Sequence, residues 1–116
     1  MILEAAMLQV KAGSEREFEA AFAQAQTIIA GMPGYHWHQL QRCLEVEGKY
    51  LLLVGWDSVA AHEQGFRQSE GYLQWKRLLH HFYQPFPVVE HFEQVLPHQG
   101  RRVADCMLAS NSSPSN

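Results

Sequence analysis

Hydrophobic and polar positions along the chain change period several times, and each change marks an element. The opening "MILEAAMLQV" is apolar and only loosely alternating, and the turn-like "KAGS" ends it, which predicts a strand over residues 2–10. Phe18, Phe22, Ala25 and Ile29 then recur at spacings of four, three and four, the single apolar stripe of a helix. Ser14-Glu15-Arg16-Glu17 reads as a capping box at its start, with the serine hydroxyl and the Glu17 carboxylate each expected to satisfy a free backbone N–H of the first turn. Gly31, Pro33 and Gly34 stop the helix.

Extended sequence returns from Tyr35 to about Leu44, "EVEG" supplies a turn with Gly48, and a further strand runs from Lys49 to Trp56, so this region predicts a hairpin. Asp57 or Ser58 is placed to cap a helix over "SVAAHEQGF", and Ser69 to cap a second piece, "SEGYLQWKRLLHHF", after a break. Tyr72, Trp75, Leu79 and Phe82 share one face of that piece. Pro85 and Pro87 end it and confine "FPVVEHFEQV" to a sheet edge, because proline has no N–H to give to an interior ladder. The closing "SNSSPSN" is small and polar, so residues 97–116 are expected to form a flexible tail behind a folded unit of residues 1–96.

Strand, helix, strand, strand, broken helix, strand is the βαββαβ order of a ferredoxin-like α+β fold, an antiparallel sheet in the order 4-1-3-2 with helices on one face. The third strand does not fit that arrangement alone. Tyr50, Leu52, Val54 and Trp56 lie on one of its faces and Leu51 and Leu53 on the other, while the helices cover only one. At ~25 cal/mol per Å² of apolar area, leaving such a strand in water costs an amount comparable to the stability of a small domain. A second copy of the sheet, packed face to face about a two-fold axis, is the simplest cover, and a homodimer is expected.

Composition narrows the function classes. The 116 residues are 47% hydrophobic and 18% charged, which fits one small domain. A formal net charge of -3 leaves no basic footprint for phosphate backbones, and Arg101-Arg102 is too short for a basic arm, so no nucleic-acid partner is expected. The longest apolar runs, such as "YLLLVGW", fall far short of the ~20 residues of a membrane span. Glu4 and the lack of a basic segment before the first apolar residues argue against a secretory signal. A cytoplasmic protein is expected, with Cys43 and Cys106, which match no zinc or redox spacing, as ordinary free thiols. Without a glycine-rich phosphate loop, a G-x-S-x-G elbow or a C-x-x-C pair, nucleotide-cofactor and serine hydrolase chemistry gain no support.

A Pro-Gly pair before the second strand, "YLLLVGWDS" leading into a helix, "FRQSEGYLQW" after it and a last strand after "QPFPVVEHF" together resemble the antibiotic biosynthesis monooxygenase family over about residues 2–96. The resemblance implies a dimeric α+β barrel, with two sheets meeting at the dimer interface and a pocket between each sheet and its helices. Family members include cofactor-free oxygenases of quinols or polyketide-derived phenols, haem-degrading enzymes and sugar isomerases, since one fold hosts many chemistries. Oxygenases and haem-degrading members often carry a His or Trp three residues before the serine matched by Ser69, where this chain has Phe66. Haem degradation further implies an asparagine in the first strand, absent here, and a histidine where Trp75 or Lys76 stands. Haem chemistry is therefore not expected, and no cofactor is implied. What carries over is an aromatic pocket: Trp56, Phe66, Tyr72 and Trp75 are candidate walls for a flat phenolic or quinol ligand, with plain core packing as the alternative for each.

The histidines supply the candidate chemistry. On a regular strand His36 and His38 point the same way with Leu40 and Arg42, and Tyr35, Trp37 and Gln39 take the other face. Such a pair holds a metal only with a third ligand, and His91 stands three strands from His36, roughly 14 Å at ~4.8 Å per strand, so no metal site is expected within one subunit. As bases, imidazoles of near-neutral pKa deprotonate phenols, the step that activates such substrates towards O2 without a metal or flavin. His36, His38 and His62 are the candidate catalytic residues, with an exposed helical histidine as the alternative for His62. His80 and His81 read as complements to a helix dipole, and Glu90 and His91 lie on opposite faces of a strand. Two functions follow: a cofactor-independent monooxygenase of a small aromatic or quinol-type substrate, or a non-catalytic small-ligand-binding or interaction protein on the same barrel. The histidine pair favours the first and Phe66 the second.

Overall fold

The computed structural model describes residues 1–101. Strand β1 (Ile2–Gln9), helix α1 (Glu15–Ala30), strands β2 (Tyr35–Arg42) and β3 (Lys49–Trp56), a π-helical turn (Ala61–Phe66), helix α2 (Glu70–Leu79), a 3-10 turn (His80–Phe82) and strand β4 (Val89–Glu93) follow in order. The sheet runs β2-β3-β1-β4 with every pairing antiparallel, which is the expected ferredoxin-like α+β fold. Strand β4 takes an edge, as the prolines before it require. Of the tail expected from residue 97, positions 102–116, Cys106 among them, lie outside the described residues. Among the described residues Cys43 has no disulfide partner.

The apolar stripe of α1 is buried as its spacing predicts, but its capping box does not form. Ser14 has a ψ of 9° and makes no side-chain cap bond; only its carbonyl accepts, from the Phe18 N–H at 2.9 Å. A cap hydroxyl reaches the first turn from extended backbone, which Ser69 has: at ψ 160° its Oγ accepts from the Tyr72 N–H at 3.2 Å. Ser58 caps in the same way, accepting from Ala61 N–H at 3.1 Å. The helix expected over "SVAAHEQGF" is corrected to a wider turn, in which the Arg67 N–H reaches back five residues to the His62 carbonyl at 2.9 Å. More than four residues per turn keep His62 and Phe66 on one face, and both are buried.

The two faces of β3 differ as its sequence implies. Tyr50, Leu52, Val54 and Trp56 point at the helices and none is more than 4% exposed. Leu51 and Leu53 are half-buried on the opposite face, beside Met7 at 48% and Phe92 at 51% exposure.

Strand β2 departs from simple alternation. Tyr35 faces Trp56 and Trp37 faces Gly55, so His36 is an extra residue, a bulge against β3. Tyr35 thereby joins His38 on the helix-facing side, and Trp37 lies on the outer side, where its Nε1 sits 2.7 Å from the place a Cβ at Gly55 would occupy. Gly34, with φ of 84°, turns the chain into this strand; a Cβ there would lie 2.8 Å from that of Ala61, so glycine is what lets the turn pack on the π-helical segment.

Candidate active site

A cavity of about 420 Å³ opens between the helix-facing side of β1 and β4 and the helical segments above it. Glu4, Ala6 and Leu8 contribute from β1, His91 from β4, His62 and Phe66 from the π-helical turn. Tyr72 and Trp75 of α2 complete an aromatic wall in which Phe66 meets Tyr72 edge-on at 5.1 Å and Trp75 edge-on at 5.4 Å. Three of the four wall residues expected from sequence thus border the cavity. Trp56, 0% exposed, stands behind it and serves as a hydrogen-bond donor: its Nε1–H donates to Glu4 Oε1 at 2.8 Å.

Glu4 begins a polar line through the apolar interior. Its Oε1 lies 3.4 Å from Nε2 of His62, and Nδ1 of His62 lies 2.9 Å from Nε2 of His91. Three elements converge to build it. Antiparallel pairing sets His91 directly opposite Glu4, and alternation turns both towards the helices. The wide turn drops His62 onto them, stacked against Trp56 at 5.5 Å and 21° between planes. Arg67, at the end of that turn, borders the cavity with its Nη1 3.8 Å from Glu63 Oε2.

Burial dominates the electrostatics. Removal from water raises the Glu4 carboxyl above its ordinary range, against the Trp56 hydrogen bond and the nearby positive charge of Arg67, which both lower it. His62 is pushed down to about 3 by burial first, then by the positive charge of Arg67 and by His91. Its imidazole is therefore neutral at physiological pH, and the 3.4 Å approach to Glu4 is a polar contact of a neutral ring rather than an ion pair. Burial also lowers His80, with Lys76 adding to it, and raises Tyr83, both on the cavity wall.

The paired orientation expected of His36 and His38 is overturned by the bulge, and neither residue borders the cavity. His36 bonds Asp57 at the surface through Nε2 and Oδ1. His38 has both nitrogens engaged, Nδ1 with the Tyr35 hydroxyl at 2.6 Å and Nε2 with Gln26 Oε1 at 2.8 Å. It lies on β2, the sheet edge opposite β4. His62 is buried at 3% exposure, not the exposed helical histidine of the alternative reading. Among the described residues no group of three or more His, Cys, Asp or Glu side chains is arranged to hold a metal ion.

Glu4 and His91 are the site residues that sequence reasoning missed. A signal for Glu4 was present, a lone carboxylate in register with Ala6 and Leu8 in an apolar strand. His91 had none, since its partner sits on a turn whose hydrogen-bond period is not written in the hydrophobic pattern.

Residues 1–78 match the antibiotic biosynthesis monooxygenase family. Over 95 residues the chain is 57% identical to the uncharacterised protein YczJ of Bacillus subtilis, covering 82% of this chain and 100% of that one. A solved structure from Bordetella bronchiseptica, named for the same family, is similar at 36% identity with a TM-score of 0.79, over 82% of this chain and 97% of that one. SnoaB of Streptomyces nogalater, described as a cofactor-independent oxygenase, is similar at 24% identity with a TM-score of 0.65, over 84% and 97%. At that identity the likeness to SnoaB speaks for the fold.

Proposed function

This chain belongs to the antibiotic biosynthesis monooxygenase family, and from that premise we propose that it is a cofactor-independent monooxygenase of a small phenolic or quinol-type aromatic. The observation that carries the reading is the cavity of about 420 Å³ in which aromatic walls meet the buried imidazole of His62 and the half-buried one of His91. Its volume lies within the ~300–1,000 Å³ of small-molecule sites. Phe66, Tyr72 and Trp75 offer ring edges and faces against which a flat substrate packs. The activity in the description of SnoaB is of the same kind.

The chemistry needs a base and O2. Loss of the phenolic proton to an imidazole concentrates negative charge in the substrate ring, which then supplies the electrons that reduce O2. One oxygen atom enters the ring as a new carbonyl and the other leaves as water, so phenol and O2 become quinone and water with no other reductant. Oxygen uptake with a panel of quinols and hydroxy-aromatics tests the proposal, and turnover of at least one is the expected result. The second reading, a small-ligand-binding protein without turnover, has Phe66 on its side, a wall residue with no proton or charge to contribute. Quenching of tryptophan fluorescence by the same compounds without any oxygen uptake would establish that reading instead.

Two copies are inferred to pack back to back through the outer sheet face, where Met7, Leu51, Leu53 and Phe92 form an apolar patch. Among the described residues no helix is long and apolar enough to cross a membrane. A cytoplasmic location goes with this reading.

A further inference from the structure

We propose that His91, on the edge strand, is the group that takes the proton from the bound phenol, and that His62 and Glu4 are the relay that receives it. This rests on the reading of the cavity as a phenol site, and it moves the role of base away from His62. His62 has no nitrogen to spare: Nδ1 is engaged by His91 and Nε2 faces Glu4. Its ring packs in a cluster with Trp56 and Phe66, with centroids 5.5 Å and 6.4 Å away, and it is 3% exposed. A ring so enclosed does not meet a substrate hydroxyl. His91 is half-buried, borders the cavity, and among the described residues bonds through Nε2 alone.

The tautomers follow from the chain of contacts. With Glu4 ionised, His62 presents Nε2–H to the carboxylate, which leaves its Nδ1 as an acceptor. His91 must then donate from Nε2, so its Nδ1 carries the lone pair, and the relay offers the cavity one basic nitrogen. When the phenolic O–H bond breaks, the proton goes to His91 Nδ1, the His91 Nε2 proton passes to His62 Nδ1, and the His62 Nε2 proton passes to Glu4. Both imidazoles end neutral, the carboxyl is protonated, and the negative charge has moved from Glu4 to the phenolate. Burial favours that end state at both inner members, since it raises Glu4 and lowers His62. Arg67 on the cavity wall supplies the positive field towards which the new anion is drawn. His91 touches the substrate; His62 and Glu4 are positioning residues that act through it.

A nitrophenol, whose anion absorbs visible light, reads the step directly. It is added to the full protein at a pH below its own pKa, with tryptophan quenching measured in parallel to give occupancy. The bound probe is expected to show the phenolate band in the wild type. H91A, a half-exposed change on an edge strand, is expected to keep the quenching while the bound phenolate-to-phenol ratio falls roughly tenfold or more, one pKa unit of lost proton affinity. E4Q keeps an oxygen to accept from Trp56 Nε1–H and is expected to lose the band too, a spectroscopic change that altered packing at equal occupancy does not produce. Retention of the wild-type band by H91A, or its loss only in His62→Gln, would overturn the assignment. A probe that binds the wild type but stays neutral also overturns it while the cavity reading stands, and absence of quenching by every phenol tested takes both down.

Discussion

Acidification from pH 8 to pH 5 is expected to cost the wild-type protein stability that a His62→Gln variant keeps. The imidazole of His62 titrates at about 3 in the folded protein, against 6.5 for the ordinary side chain. Between those values the unfolded chain binds a proton that the folded chain refuses, so stability falls as pH falls below 6.5 and continues to fall towards 3. At pH 5 the unfolded side chain is about one and a half units below its pKa, which at ~1.4 kcal/mol per unit is about 2 kcal/mol lost relative to pH 8. His62 is 3% exposed, so solvent screening removes little of this. Glu4 acts with the opposite sign: its raised pKa means that the folded state takes up a proton above the ordinary carboxylate range, which favours folding as the pH drops through that region. Glu4 is present in both proteins, as are the lowered histidines His38 and His80, so the difference between the two curves isolates His62. Glutamine retains an N–H for Glu4 and an oxygen for His91. Urea unfolding at a series of pH values gives the measurement, and the wild type is expected to lose about 2 kcal/mol more than the variant by pH 5. Parallel curves for the two proteins would show that His62 is not held neutral by burial.

Leu79→Ala removes a fully buried core side chain of α2 and is expected to cost about 2–5 kcal/mol in urea unfolding. Ser69→Ala is expected to cost about 1 kcal/mol through its lost cap, whereas Ser14→Ala, with no cap bond to lose, stays within about 0.5 kcal/mol of wild type in the same assay. Phe92→Asp places a charge on the outer sheet face and is expected to convert a dimer to a folded monomer by sedimentation, with circular dichroism unchanged; an unaltered sedimentation coefficient would refute the back-to-back packing.

Legibility in the sequence followed the range of the interactions. The α1 stripe, the Ser69 cap and the two-faced β3 depend on residues within a few positions of one another, and periodicity exposes them directly. Misreadings occurred where a local pattern had a competitor. The signature at Ser14 is correct in residue type, but the backbone there is not extended, so the hydroxyl has no aim. Alternation along β2 assumed a regular strand, and one extra residue at His36 separated the two histidines it had paired.

By itself the sequence determined the element order, the sheet topology and the aromatic character of the wall, because hydrophobic spacing and proline or glycine punctuation are properties of neighbouring residues. Only the tertiary structure decided which polar groups meet. Glu4, His62 and His91 lie on three elements, and their contact depends on the register of β4 against β1 and on the wide turn that presses His62 towards both. That register is set by the packing of side chains far apart along the chain, and such packing leaves no periodic trace in the order of residues.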